Sequence, residues 1–150
     1  MTVPADLPGR PNAFFRLYVL SQLMDTLLNR EFGDIPDGFG VYSVIGSMGK
    51  ITPTDLAKIV GMPPTTLSGH IERLSREGIV RRVDNPADRR SYLLELTDQG
   101  ADAFHEGVHG LRRAVATLNE RLDRPVEDVL DTLESLDAAL RATLEDSSGS

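Results

Sequence analysis

Apolar residues recur three and four positions apart over most of this chain, and alternate with polar ones over one short stretch. Steps of three and four place side chains on one face of an α-helix, whereas alternation is typical of a strand. The pattern predicts a helix over residues 12–30 with Asn12 as its N-cap, and a shorter helix ending near Met48. It also predicts two long helices within residues 98–144, separated at Arg124-Pro125.

Two short helices joined by a tight turn are predicted between residues 52 and 78. Thr52 can cap the first helix and Gly61 can end it. The second helix begins at Pro64 and ends near Glu77, with Gly78 supplying a left-handed residue just beyond it. Both helices carry an apolar edge, so the segment predicts a helix-turn-helix.

A β-hairpin follows directly, with one strand over residues 79–83 and a returning strand containing Tyr92, Leu94 and Leu96. A helix-turn-helix followed by a hairpin is a winged helix. The predicted fold class is therefore mostly α with a small β-hairpin wing, in which a winged helix-turn-helix lobe joins a helical dimerisation region built from both chain ends.

This reading divides the chain into five parts. They are a flexible N-terminal arm (1–11), N-terminal helices (12–48), the winged helix-turn-helix lobe (49–97), C-terminal helices (98–144) and a disordered tail (145–150). The last two helices have narrow apolar seams at heptad-like spacing, which fits antiparallel packing within one chain or packing against a second subunit. Because the seams are longer than a small winged lobe can cover, we favour a homodimer that also uses the first helix.

Composition narrows the function classes. The 150 residues include no cysteine, which excludes disulfides and thiolate metal sites, and no apolar run of membrane-spanning length, so we expect a cytoplasmic protein without membrane contact. The net charge is −7, but residues 50–96 carry +2 between acidic flanks of −2 and −7. The basic middle is thus the part that suits a polyanionic partner.

With these elements in order, the chain resembles the MarR family of bacterial winged-helix transcriptional regulators. The resemblance lies in residues 52–100, above all in Gly61-Met62-Pro63-Pro64-Thr65-Thr66-Leu67-Ser68, Asp88-Arg89-Arg90 and Leu96-Thr97-Asp98-Gln99-Gly100. It implies a homodimeric repressor that binds double-stranded DNA at a pseudo-palindromic operator and releases this DNA when a small-molecule effector binds. It implies no cofactor. It also implies that the protein is not an enzyme.

The second helix of the helix-turn-helix is the expected recognition helix, because the N-terminal residues of such a helix reach base edges in the major groove. Short side chains at its N-terminus allow the helix backbone to approach the DNA closely, and Arg73 can hydrogen-bond to a guanine edge or a phosphate. The expected DNA-binding residues of the two helices are Thr54, Pro64, Thr65, Thr66, Ser68, Gly69, His70 and Arg73. The alternative is that Thr65 and Thr66 only fill a first helical turn.

Arginines mark the wing. Arg89 and Arg90 lie where a hairpin tip can enter a narrow minor groove, while Arg81 and Arg82 at its base can hold phosphates. We expect Asp84 and Asp88 to pair with these arginines. The alternative is that the arginines are simply solvated. Ala87 occupies a tip position that is often basic in the family.

His105-Glu106-Gly107-Val108-His109 matches His-Glu-x-x-His, which places two imidazoles on one helix face as zinc ligands. A zinc peptidase also needs a third ligand and a cleft, with Glu127 or Glu134 as weak candidates. A metal-responsive regulator is a milder alternative, with a carboxylate such as Glu31, Asp34 or Asp37 completing a site on His105 and His109. We favour a solvent-facing histidine pair and no metal.

For the small aromatic or other small-molecule effector, Phe39 and Tyr42 are the expected lining residues, since aromatic faces suit flat, weakly acidic ligands. Their spacing fits ordinary core residues equally well.

Overall fold

The computed structural model describes residues 13–33 and 35–147. The expected arm over residues 1–11 and the cap at Asn12 lie outside them. The described elements are α1 (Ala13–Phe32), α2 (Phe39–Met48), α3 (Pro53–Val60), α4 (Pro64–Arg76), β1 (Val80–Asp84), β2 (Tyr92–Leu96), α5 (Asp98–Asn119) and α6 (Val126–Ser147). The order is that of a winged helix-turn-helix between helical ends.

Strand β1 lies one residue later than the expected 79–83, and two helices extend beyond their expected ends. Helix α1 continues two residues past Arg30, to Phe32, where Gly33 takes a φ of +64°. Helix α6 continues to Ser147, so the expectation of a disordered tail is wrong for residues 145–147. The apolar pattern stops at Leu144, but polar residues that favour no other structure can extend a helix by one turn.

The helix-turn-helix is fixed by local chemistry. The hydroxyl of Thr52 accepts a hydrogen bond from the backbone N–H of Asp55 at 3.1 Å and donates to its carboxylate at 2.7 Å. Gly61 ends α3 at φ +66°, and Gly78 follows α4 at φ +75°. A left-handed residue at these points costs glycine little, so the sequence signals for both helix ends are confirmed.

Strands β1 and β2 pair antiparallel, with Val80 opposite Leu96 and Asp84 opposite Tyr92. Ile51, just before α3, adds an isolated bridge to Leu94 through bonds of 3.1 Å and 2.8 Å. The wing is therefore joined to the helix-turn-helix at the entrance to α3 as well as at the exit from α4.

The core of this lobe gathers side chains from α2, α3, α4 and the wing. Its largest fully buried members are Tyr42, Ile45, Leu56, Leu67, Ile71, Leu74, Ile79 and Leu94. Because α4 contributes three of them, one face of this helix is fixed against the core and the opposite face is left exposed.

Within this single chain, helix α5 buries a stripe of small residues, and the larger apolar residues of its seam stay at least partly exposed. Ala103, Gly107 and Gly110 are buried, while Leu111 is 38% exposed. A methyl group on Gly107 would overlap the Phe39 ring, and one on Gly110 would lie 2.6 Å from the Phe32 ring. The rings occupy the volume that larger side chains on α5 would need.

The chain forms two compact units, residues 1–112 and 113–150. The second unit contains the end of α5 and all of α6, whose side chains are mostly exposed. Across the described residues, every helix is too short or too polar to cross a membrane.

Candidate nucleic-acid interface

The exposed face of α4 is the side opposite Leu67, Ile71 and Leu74. Pro64, Thr65, Thr66, Ser68 and Gly69 are exposed on its first two turns, and Thr54 is exposed at the start of α3. Helical spacing places Thr65, Gly69, Glu72 and Arg76 along one line of this face. The structure thus brings together most of the expected recognition residues on one accessible surface.

Arg76 lies on this line and was not among the expected site residues. It is exposed at the last turn of α4, seven positions after Gly69. The i, i+7 spacing is the signal that identifies it, since two helical turns return nearly to the same face.

His70 and Arg73 lie on the flank of α4 instead. The Nδ1 atom of His70 is buried and has no hydrogen-bond partner among the described residues. Arg73 donates from Nη2 to the carbonyl oxygen of Asp37 at 3.2 Å, and its Nη1 lies 3.4 Å from the Glu77 carboxylate. Arg73 is therefore directed toward the loop before α2.

At the base of the wing, Arg81 and Arg82 have different partners. Arg81 forms an ion pair with Glu95 across the hairpin at 2.7 Å, and Lys50 approaches the same carboxylate at 3.2 Å. These hydrogen bonds, first from Arg81 and then from Lys50, hold the pKa of Glu95 below its ordinary value. Arg82 lies over the ring of Tyr92, 4.6 Å from its centroid.

The tip of the wing is held by its own polar groups. The Asn85 side chain donates to Ser91 at 2.7 Å and accepts from the N–H of Ala87 at 3.0 Å. Asp88 accepts from the backbone N–H of Arg90 at 2.9 Å. The expectation that Asp88 pairs with an arginine side chain is therefore wrong, because its carboxylate closes the turn instead.

Arg89 and Arg90 are both exposed at this tip. Within residues 13–33 and 35–147, neither guanidinium has an ion-pair partner. Two unneutralised cations on a fixed turn are suited to contact phosphates or a narrow minor groove.

A separate cavity of about 780 Å³ lies beside the loop between α1 and α2. Its walls come from α1, from the loop, from the start of α2 and from α5, through residues that include Asp25, Asn29, Phe32, Ile35, Pro36, Asp37, Gly38, Phe39, Ser43 and Leu111. Phe39 lies on its wall and packs edge-on against Phe32, with ring centroids 4.8 Å apart. Among the described residues, the lining contains carboxylates but no basic side chain, which does not favour the weakly acidic ligand expected from the sequence.

Tyr42 is not among the residues that line this cavity. It is fully buried in the core, and its hydroxyl donates to the carbonyl oxygen of Pro36 at 3.3 Å. Burial first, and then the nearby charges of Asp37 and Glu106, raise its pKa to about 12. Tyr42 supports the cavity loop from the core side.

The His-Glu-x-x-His segment lies on α5 with His105, Glu106 and His109 all exposed. In the part of the chain that the structure describes, no three histidine, aspartate or glutamate side chains are grouped to hold a metal ion. Asp34, one of the suggested third ligands, lies outside the described residues.

Comparisons with known proteins agree with this geometry. A family model described as the MarR family matches residues 42–91. The multiple antibiotic resistance protein MarR of Salmonella typhimurium is 32% identical over 124 residues, which cover 80% of this chain and 84% of that protein. The transcriptional repressor YetL of Bacillus subtilis is 22% identical over 126 residues, covering 81% of this chain and 75% of its own.

Solved structures share the fold. A mutant MarR from Escherichia coli complexed with operator DNA superposes with a TM-score of 0.73 at 29% identity, over 91% of this chain and 99% of that one. PcaV of Streptomyces coelicolor, solved with its natural ligand, gives a TM-score of 0.74 at 22% identity, over 92% and 98%. By name, YetL is a transcriptional repressor and PcaV a transcriptional regulator. The chain belongs to the MarR family of transcriptional regulators.

Proposed function

We propose that the chain is a homodimeric repressor that reads a pseudo-palindromic operator in the cytoplasm. Helix α4 lies in the major groove, and the arginine-tipped wing lies in the minor groove. A small-molecule effector in the cavity beside the α1–α2 loop releases the DNA. Two recognition helices related by a two-fold axis fit half-sites about 34 Å apart, which is one turn of DNA.

The observation that carries this proposal is the pairing of two exposed surfaces in one lobe. The outer face of α4 presents small side chains and Arg76, while the wing tip presents Arg89 and Arg90 without acidic partners among the described residues. By contrast, Arg81 at the wing base is neutralised by Glu95. Positive charge is thus available at the tip of the hairpin, where it can reach DNA.

Exposed apolar side chains support the homodimer. Helix α1 exposes 62% of Tyr18 and 61% of Leu23, and α6 exposes 49% of Leu130 and 68% of Leu144. Large apolar residues repeated along helices in this way are typical of surfaces that another subunit covers. A second copy of this chain is the partner that the family resemblance implies.

The cavity supports an effector. A volume of about 780 Å³ lies within the range of small-molecule sites, and the walls combine two aromatic rings with carboxylate, amide and hydroxyl groups. A ligand that prefers one arrangement of the lobe can shift the population of DNA-competent molecules.

A DNA titration at two salt concentrations tests the proposal. The probes are a duplex from the region upstream of the protein's own coding sequence and a scrambled duplex, both labelled for fluorescence anisotropy. We expect sequence-dependent binding by the wild type, and weaker binding by Arg89→Ala/Arg90→Ala. Removing two cations that neutralise phosphate charge should make the negative slope of log affinity against log salt shallower by about 1.8.

The matched control is Arg112→Ala/Arg121→Ala, which removes the same charge from exposed positions outside the winged helix. If both double variants lose affinity equally, net charge and not the wing accounts for binding. If the wild type shows no preference between the two duplexes, the operator proposal for that region is wrong.

A further inference from the structure

Arg73 connects the recognition helix to the cavity loop. Its Nη2 donates to the carbonyl oxygen of Asp37 across 36 positions of sequence, at 3.2 Å. Its Nη1 is held by the Glu77 carboxylate one turn further along α4. The side chain is only 31% exposed. A guanidinium with one nitrogen on its own helix and another on a distant loop forms a short bridge between the two.

The loop that Arg73 reaches is part of the cavity wall. Ile35, Pro36, Asp37 and Gly38 all line the cavity, and Phe39 continues the wall into α2. On the core side, the Pro36 carbonyl accepts the Tyr42 hydroxyl at 3.3 Å. The two consecutive carbonyls of Pro36 and Asp37 are therefore held by different elements, one by the core and the other by α4.

We propose that Arg73 is a positioning residue that couples the cavity loop to the recognition helix, so that displacement of residues 35–38 lowers DNA affinity through this side chain. The inference rests on the proposed function, because it takes α4 as the DNA-reading helix and the cavity as the effector site. It replaces the expectation that Arg73 itself contacts a base or a phosphate.

Two physical arguments support the coupling. An α-helix transmits a displacement along its length with little deformation, so a displacement of Arg73 on the third turn reaches Thr65 and Gly69 at the DNA end. In addition, a hydrogen bond from a charged donor is stronger than a neutral one, and losing it leaves the Asp37 carbonyl to find another donor. The loop and the helix therefore favour one common position while the bridge is intact.

Gly38 offers a way to disturb the bridge from the cavity side. A methyl group there would lie 2.9 Å from Nη2 of Arg73. The guanidinium is the end of a flexible side chain, so it would move and leave Asp37. Gly38 also has a φ of +89°, and any side chain there adds backbone strain. A control must therefore carry similar strain without the contact.

Gly33 is that control. It lines the same cavity at a φ of +64°, and a methyl group there would have no neighbour within 4 Å in the part of the chain that the structure describes. Gly33→Ala thus adds strain to the loop but does not touch Arg73. Comparing Gly38→Ala with Gly33→Ala separates loss of the bridge from strain of the loop.

The experiment is a double-mutant cycle on affinity for the operator duplex, with urea unfolding to verify that each variant is folded. We expect Gly38→Ala to weaken DNA binding about tenfold, within the range of about 5- to 150-fold that is typical of coupled sites. Gly33→Ala should change it less than about twofold, and Gly38→Ala should add less than about twofold in an Arg73→Ala background. Arg73→Lys, which keeps a charged donor, should recover part of the affinity lost in Arg73→Ala.

Several outcomes overturn the inference. Equal effects of Gly38→Ala and Gly33→Ala, or an undiminished effect in the Arg73→Ala background, would assign the loss to strain. A salt slope lowered by about 0.9 in Arg73→Ala would make Arg73 a phosphate contact. If the wild-type chain binds no DNA, the proposed function and this coupling are both wrong, whereas wild-type binding that is indifferent to Arg73 overturns the coupling alone.

Discussion

Gly69 gives a variant in which stability and DNA binding should change in opposite directions. It lies in the middle of α4 on the exposed face, and a methyl group there would meet no atom of the described residues within 4 Å. Alanine is favoured over glycine inside a helix by about 0.8–1.0 kcal/mol. Because no steric cost offsets this gain, Gly69→Ala should stabilise the protein by nearly that amount, which raises Tm by about 2–4 °C in a chain of this size.

The same methyl group should weaken DNA binding. If α4 lies in the major groove with its backbone close to the bases at Gly69, the added group overlaps DNA. Overpacking of one methyl-sized group costs about 1–3 kcal/mol, so we expect affinity for the operator duplex to fall at least about fivefold. Thermal unfolding and fluorescence anisotropy on the same preparation measure both quantities.

Gly100→Ala is the contrasting control. A methyl group at Gly100 would overlap the backbone carbonyl oxygen of Ile79, which cannot rotate away, so this variant should be destabilised although it also lies in a helix. Unchanged DNA affinity of Gly69→Ala would refute close approach at this position. Lower stability of Gly69→Ala would refute the argument from helix propensity.

Three further variants or conditions have expected outcomes. Arg76→Ala should weaken DNA binding and lower the salt slope by about 0.9, because it removes one cation from the outer face of α4; an unchanged slope would remove Arg76 from the interface. The raised pKa of Tyr42 predicts a contribution to stability that is complete below pH 10 and is lost as the pH rises toward 12. Between pH 10 and 12, the urea midpoint of Tyr42→Phe should therefore fall less steeply than that of the wild type. Tyr18→Phe, which changes an exposed tyrosine, is the control. Treatment with EDTA should leave wild-type affinity for the operator duplex unchanged, and a change that disappears in His105→Ala/His109→Ala would instead support the metal-responsive alternative.

The elements of the winged helix could be predicted because their signals are local. Thr52, Gly61 and Gly78 act on backbone groups within four residues of themselves, so residue type and spacing are enough to place the helix ends. The hairpin follows from alternation in the same way. Exposure of the α4 outer face then follows from the spacing of its apolar residues.

The contacts that the sequence did not reveal join residues far apart in the chain. The small stripe on α5 is buried because Phe32 and Phe39, about 70 residues earlier, occupy the space above Gly107 and Gly110. Arg73 turns toward Asp37 for a similar reason, since a long side chain follows whichever acceptor the fold brings near. Spacing along one helix predicts which face a residue occupies, but its partner depends on packing between elements.

If the wing enters a DNA groove as proposed, the closed turn at its tip affects how readily the protein can move along DNA. Ordering a flexible loop on binding costs about 1–2 kcal/mol for each residue whose backbone is fixed. Here the side chains of Asn85 and Asp88 already hold the turn, so a groove has to immobilise only the two arginine side chains, at about 0.5–1.5 kcal/mol each. A wing that does not have to fold at each encounter can bind many DNA sites in quick succession and dissociate from most of them rapidly.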